Sequence, residues 1–218
     1  QNFQIGTSAN EGISLALSST SSADIGGYKA TFVAASVGFG GAEAASGTLA
    51  DSSVAGGDIT IVNDTGTSTN VNIVSESSAK TAAAKINQQS GEHGVTASAS
   101  TTAVLGTSNK DGNLGFKING TAIVATAVTN GGSQAALTQA INDIAATTGV
   151  TATHNTNFTI TLTDADGGDI TIENYENSTG TDSTATFTGS NTASTALTEI
   201  AHSSRAVGTL ELTSSKSF

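Results

Sequence analysis

The sequence predicts an α+β fold: β-rich subdomains built from a repeated strand–helix–strand unit, with few short helices. Three observations predict it. Residues 84–97 ("AKINQQSGEHGVTA") and 139–152 ("QAINDIAATTGVTA") share Ile-Asn, six further residues, then Gly-Val-Thr-Ala. Several segments, "NFTITLT" (157–163) most clearly, alternate apolar and polar residues with the period of a half-buried strand. Finally, only 36% of the chain is hydrophobic and 4% aromatic, which suits several thin subdomains better than one thick core.

The elements follow in order. Residues 1–20 carry Phe3, Ile5, Ile13, Leu15 and Leu17, a loose alternation expected of a strand pair. "YKATFVA" (28–34) is a short strand, and the Gly/Ala/Ser-rich stretch 35–57 is a loop. "GGDITIV" (56–62) and "TNVNIV" (69–74) are strands joined by "NDTGTST", whose Asn, Asp and Gly supply turn conformations. Ala79, Ala82, Ala83 and Ile86 then fall on one helical face, with Ser77 or Ser78 as cap and Gly91 or Gly94 as terminator. "VTASAS" (95–100) follows as a strand. In the second unit "LGFKING" and "AIVATAV" are strands. "GGSQAALTQAINDIAATTG" is a helix capped by Ser133, burying Leu137, Ile141 and Ile144 and ending at Gly149. "GVTAT" continues as a strand, and "NFTITLT" with "DITIENY" forms a hairpin around "DADGG". An amphipathic segment (194–204) groups Leu197, Ile200 and Ala201 at helical spacing, and "VGTLELTSS" (207–215) closes as a strand.

Composition excludes several function classes. Seven basic against 18 acidic residues give a net charge of −11, with no Lys/Arg cluster to displace counterions. Nucleic acid and anionic membrane surfaces are therefore not expected partners. The same charge repels copies and suits an isolated monomer. Cys, Met, Pro and Trp are absent, which removes disulfides, thiolate metal sites and slow prolyl isomerisation. A chain that crosses a channel unfolded and folds at the far side benefits from the last absence. No apolar run approaches twenty residues, so no transmembrane helix is expected. The chain opens on "QNFQIG", without Met or a signal peptide, and reads as a piece of something longer.

Candidate chemistry is sparse. "TDADGGD" holds Asp164, Asp166 and Asp169, but Gly168 occupies the third alternating position and no bidentate Glu follows at calcium-loop spacing, so a solvated hairpin tip is expected. His93, His154 and His202 sit in no metal or nucleophile motif and are expected to be exposed. "SNKDGN" (108–113) lacks the helix and spacing of a phosphate loop. No catalytic, cofactor-binding or metal residue is assigned, and an enzyme is not expected. Sequons occur at Asn63, Asn119, Asn157 and Asn177, and in a chain this rich in Asn, Ser and Thr chance accounts for most of them.

The residues do carry a resemblance. "FQIGTSANEGISLAL" (3–17) resembles the strand that closes the inner rod domain of bacterial flagellins, and "LELTSSKSF" (210–218) resembles the point of return to it. "GFKINGT…ALTQAINDIAATTGVTA" resembles the flagellin IN motif, with 58–100 as a divergent second copy. The resemblance spans nearly the whole chain. It implies the surface-exposed second and third variable domains of a flagellar filament subunit. Such a subunit is exported unfolded by the flagellar apparatus, located extracellularly in the filament and assembled with other flagellin subunits through terminal helices absent from this chain. It implies a role in motility and an antigenic, glycosylatable surface open to host antibodies or glycans. The implied organisation is junction strands at 1–17 and 207–218 that pair with each other, an inner variable domain of 18–107 plus 176–206, and an outer one of 108–175. The alternatives are an adhesin or glycan-binding surface, for which only two Tyr and no Trp are available, and a hook-associated or filament-cap protein. A protease grafted into the variable region lacks its HExxH.

Overall fold

The computed structural model of the chain describes residues 2–4, 12–14, 27–32, 38–180, 182–190 and 194–218. Within them the fold is α+β, rich in strands and divided among several sheets. The segment around Ile5, Leu15 and Leu17 lies outside the described residues. Strand β1 (Asn2–Gln4) pairs with β2 (Gly12–Ser14). Strand β3 (Tyr28–Phe32) leads to 38–56, where the only strand-type contacts are bridges from Ala42 to Ala206 and from Ser46 to Ser203. Strands β4 (Gly57–Val62) and β5 (Ser68–Ile73) form a separate hairpin. Helix α1 (Ala79–Gln88) and the short α2 (Ser90–His93) then deliver the long strand β6 (Thr96–Leu105).

The second half continues with further strands and a second pair of short helices. Strands β7 (Gly112–Ile118), β8 (Thr121–Ala122) and β9 (Thr126–Val128) precede helix α3 (Ala135–Asn142), the turn-length α4 (Ala145–Thr148) and β10 (Thr151–His154). Asn119 and Gly120, both at positive φ, form the two-residue turn between β7 and β8 that Asn-Gly favours. Strands β11 (Ile160–Asp164), β12 (Ile170–Asn177), β13 (Thr184–Gly189), β14 (Thr195–Thr198), β15 (Ser204–Ala206) and β16 (Thr209–Ser214) complete the chain.

Strand β6 organises the molecule. Its odd-numbered side chains point inward and its even-numbered ones outward, the period of two expected of a pleated strand. Along its first half it pairs with β16, whose other edge takes β3. Along its second half it lies between β11 and β13, with β10 and β14 at the outer edges. A second sheet runs β15-β12-β7-β8, with β9 also on β7. The buried apolar side chains accordingly fall into two cores. Phe39, Val54, Ile61, Val71, Ile73, Ile86, Val95, Leu210 and Leu212 belong to the first, with Ala97 and Ala99 of β6 packed against it. Ala103 and Leu105 of β6 belong to the second, with residues from Leu114 through Ala206.

Two sequence expectations change. β11 and β12 are not a hairpin: β11 pairs with β10 and β6, β12 with β7 and β15. Ile170, Thr171 and Ile172 are consecutive and all buried, so both faces of that strand are covered and it does not sit on a one-sided hairpin. Second, 194–204 is not a helix. It contains β14, with Leu197 fully buried and Ile200 86% exposed. Its helical spacing is coincidental, because Ile200 lies in the turn that follows the strand. Among the described residues β1 pairs with β2, and β16 with β3 and β6; the expected pairing of 1–17 with 207–218 falls largely on residues outside those described. Ala185, Phe187, Leu197 and Ala206, all within 176–206, pack in the second core with residues of 103–172.

Candidate functional site

The most organised polar geometry lies where each helix passes into the next strand. Ser78 Oγ accepts from the Thr81 amide and caps α1. Helix α1 buries Ala79, Ala82, Ala83 and Ile86. Gly94 closes α2 in the left-handed region (φ 72°) and donates its N–H to the Ser90 carbonyl, 2.8 Å away. Asn87 Nδ2 then donates to the Ala97 carbonyl at 2.8 Å, and the Ala97 amide donates to Asn87 Oδ1 at 2.7 Å.

After α3 the corresponding contacts are present. Gly149 (φ 77°) donates to the Ala145 carbonyl at 2.9 Å. Asn142 Nδ2 donates to the Ala152 carbonyl at 3.0 Å, and Asn142 Oδ1 accepts from the Ala152 amide at 2.8 Å. Ile86, Ile141, Val95 and Val150 are all fully buried. A primary amide carries the donor and acceptor of one peptide unit. Each Asn therefore acts as a one-residue strand neighbour, and it holds the strand itself rather than the preceding loop. Ser133 Oγ accepts from the Ala135 amide at 3.3 Å, but α3 begins after Gln134, and Ile144 is half-buried at the break before α4.

His93 is not exposed. It is 3% accessible, and its Nδ1 accepts from the Val95 amide at 3.1 Å. Thr148 Oγ1 accepts from the Val150 amide at 3.2 Å in the same place after α4. Both side chains satisfy the amide freed where the helix ends. The signal available in the sequence was position: each lies two residues before its Val and immediately before its Gly. His154 Nε2 accepts from the Gln134 amide at the start of α3, and His202 Nδ1 contacts Ser203 Oγ. The three histidines thus serve three separate local structures.

The Asp-rich turn 164–169 is a contact between the two cores rather than a free tip. Asp164 is buried, and its Oδ1 accepts from the Asp166 amide. The Lys80 amide at the start of α1 donates to the Gly167 carbonyl at 2.9 Å. Lys80 Nζ lies 3.0 Å from Asp166 Oδ2, and that hydrogen bond followed by the charge holds the ammonium above its ordinary value. Both groups are largely exposed, so the pair adds little stability. A Cβ on Gly208 would lie 2.4 Å from Thr101 Oγ1 and 3.0 Å from Ala79 Cβ, so close packing of β16's approach against α1 requires glycine there.

The tighter ion pair is Arg205 Nη1 to Asp169 Oδ2, 2.9 Å, with side chains 20% and 10% exposed. Burial pushes the Asp169 carboxyl above the ordinary carboxylate value, against the Arg205 hydrogen bond and charge that hold it down. Arg205 also donates to the Ala50 carbonyl, and its own carbonyl accepts from the Glu43 amide. Loop 38–56 is thereby held along β15.

In 108–113, Asp111 Oδ1 accepts from the Asn130 amide, and Ser108 Oγ bonds Ser183 and Asn177. These are loop-holding contacts. Among the described residues no group of three or more His, Cys, Asp or Glu is placed to hold a metal ion, and no helix is long and apolar enough to cross a membrane. No family model and no curated protein matches the chain.

Proposed function

We propose that this chain is a structural surface module, the outward-facing variable part of a bacterial flagellin, with no catalytic role. Its two helix-to-strand passages are one building unit used twice. The observation that carries the building-unit reading is the Asn bracket. Asn87 with Ala97 and Asn142 with Ala152 make the same reciprocal pair of hydrogen bonds at the same ten-residue offset. The residues common to the two segments are buried Ile and Val, a left-handed Gly, a backbone-binding Asn, the Ala it binds and an exposed Thr whose hydroxyl donates to a carbonyl of the neighbouring strand, all with structural duties. No exposed charged or aromatic residue is common to them, as a duplicated binding site would need.

The flagellin reading rests on the sequence resemblance of 3–17, 58–100, 113–173 and 210–218. In this role the module sits outside the filament core and is joined to it through both ends. The inward side chains of β6 pass from one core to the other between Ala99 and Ala103, and those near the C-terminal strand between Ala206 and Val207. Immunogold labelling with antibody raised against the isolated chain tests the location. Gold is expected along the full length of the extracellular filament. Gold confined to the filament tip or to its base would instead assign the chain to a cap or hook-associated protein and contradict the proposal.

A further inference from the structure

Four Asn-Xaa-Thr sequons occur in the chain, and the fold separates them into two kinds. The Asn177 side chain is 5% exposed, and its Nδ2 is committed to Ser108 Oγ and the Lys110 carbonyl. Asn119 Nδ2 donates to the Thr148 carbonyl, while its Oδ1 accepts from the Thr171 amide. Both amides are structural.

Asn63 and Asn157 differ. The hydrogen bonds of the Asn63 side chain all run through Oδ1, which accepts from the Thr65 amide, Thr65 Oγ1 (2.7 Å) and the Thr67 amide. Those of Asn157 also run through Oδ1, from the Thr159 amide and Thr159 Oγ1 (2.8 Å). Asn63 sits half-buried in the β4–β5 turn, and Asn157 is exposed in the β10–β11 turn. What sets Asn63 and Asn157 apart is the free Nδ2, since the sequon hydroxyl donates to the amide oxygen in both and, from Thr179 Oγ1 at 2.9 Å, at Asn177 too. That bond draws electron density toward Oδ1 and makes the Nδ2 protons easier to remove, while at Asn63 and Asn157 Nδ2 itself stays uncommitted.

We infer that Asn63 and Asn157 are acceptor sites for N-linked glycosylation on the folded chain, and that Asn119 and Asn177 are not. The donor class is a nucleoside-diphosphate hexose. Asn Nδ2 attacks the anomeric carbon and a C–N bond forms. The anomeric C–O bond to the diphosphate breaks, the nucleoside diphosphate departs with the electron pair, and the amide proton passes to a base of the transferase. The inference does not depend on the flagellin reading, since it rests on the two turns alone.

The test incubates the folded chain with a soluble transferase that reads Asn-Xaa-Ser/Thr and with UDP-glucose, followed by peptide mapping. Hexose is expected on the peptides containing Asn63 and Asn157 and not on those containing Asn119 and Asn177. The urea-unfolded chain, as a parallel substrate, is expected to accept hexose at Asn119 and Asn177 as well. Thr65→Ala and Thr159→Ala are expected to abolish transfer at their own sequons only. Asn63→Gln and Asn157→Gln, which leave the neighbouring sequon intact, provide the same assignment should a Thr variant fold poorly. Absence of hexose at Asn63 and Asn157 in the folded chain, or transfer to Asn119 or Asn177 as fast as to Asn157, would overturn the inference.

Discussion

Ile141→Asp is expected to abolish the folded second core. Ile141 is fully buried on α3, within the cluster that holds Leu137, Val150, Ile160 and Tyr175. Removing a buried Ile side chain costs about 2–5 kcal/mol from lost burial and the cavity left behind. The new carboxylate has no partner in that cluster and must either stay charged at further cost or take up a proton. A combined loss of roughly 4 kcal/mol or more is a large part of the ~5–15 kcal/mol that holds a domain together. Asn142→Ala is expected to be milder, at about 1–3 kcal/mol, because it strands the amide and carbonyl of Ala152 in a half-buried place. Thr147→Ala, on the exposed side of α4, should change stability by no more than about 0.5 kcal/mol. Urea titration followed by the fluorescence of Tyr175, which is fully buried in this core, ranks the three. An Ile141→Asp chain with the wild-type midpoint would contradict the assignment of that face to the core.

Arg205→Ala is expected to cost about 3 kcal/mol or more at neutral pH, since it leaves the Asp169 carboxylate buried without its cation. It also releases the Ala50 carbonyl and with it the hold on loop 38–56. The pH dependence carries the diagnosis. Asp169 already has a folded-state pKa above the ordinary 3.8, with burial as the largest cause. Between the unfolded and folded values the native state therefore binds more protons, and stability falls as pH rises through that window. Removing Arg205 raises the folded value further and widens the window. The variant's deficit should shrink on acidification, as protonation of Asp169 removes the unpaired charge. Melting temperatures of the two chains between neutral and mildly acidic pH measure this. A deficit independent of pH would mean that Arg205 acts only by packing.

The parts of the fold legible in the sequence were those with a local cause. The face carrying Ala79, Ala82, Ala83 and Ile86, the Ser78 cap, the terminating Gly94 and Gly149 and the alternation of 160–163 all report geometry set within a few residues. The parts that were not legible depend on distant partners. Strand β13 alternates Thr with Ala185 and Phe187, but that these are buried between β6 and β14 depends on partners its own sequence does not name. "DADGG" has the composition of a hairpin tip, but its turn carries the chain from one sheet to another and docks on α1 through Lys80. His93 looked like a loop residue because its cap is made by a side-chain nitrogen to an amide two residues on, a bond that Ser, Thr, Asn and Asp make more often. At the repeat, an Asn amide has the donor and acceptor to bind a backbone unit. The targets of Asn87 and Asn142, Ala97 and Ala152, required the strand geometry.

The central claim is that this chain decorates a filament whose assembly is carried elsewhere in the protein. The direct measurement is electron microscopy of bacteria whose full-length subunit lacks residues 18–206, with the shortened protein quantified outside the cell. Filaments of reduced diameter are expected, with swimming weakened where the removed part had also stiffened the filament. Normal export of the shortened subunit with no filaments at all would contradict the account.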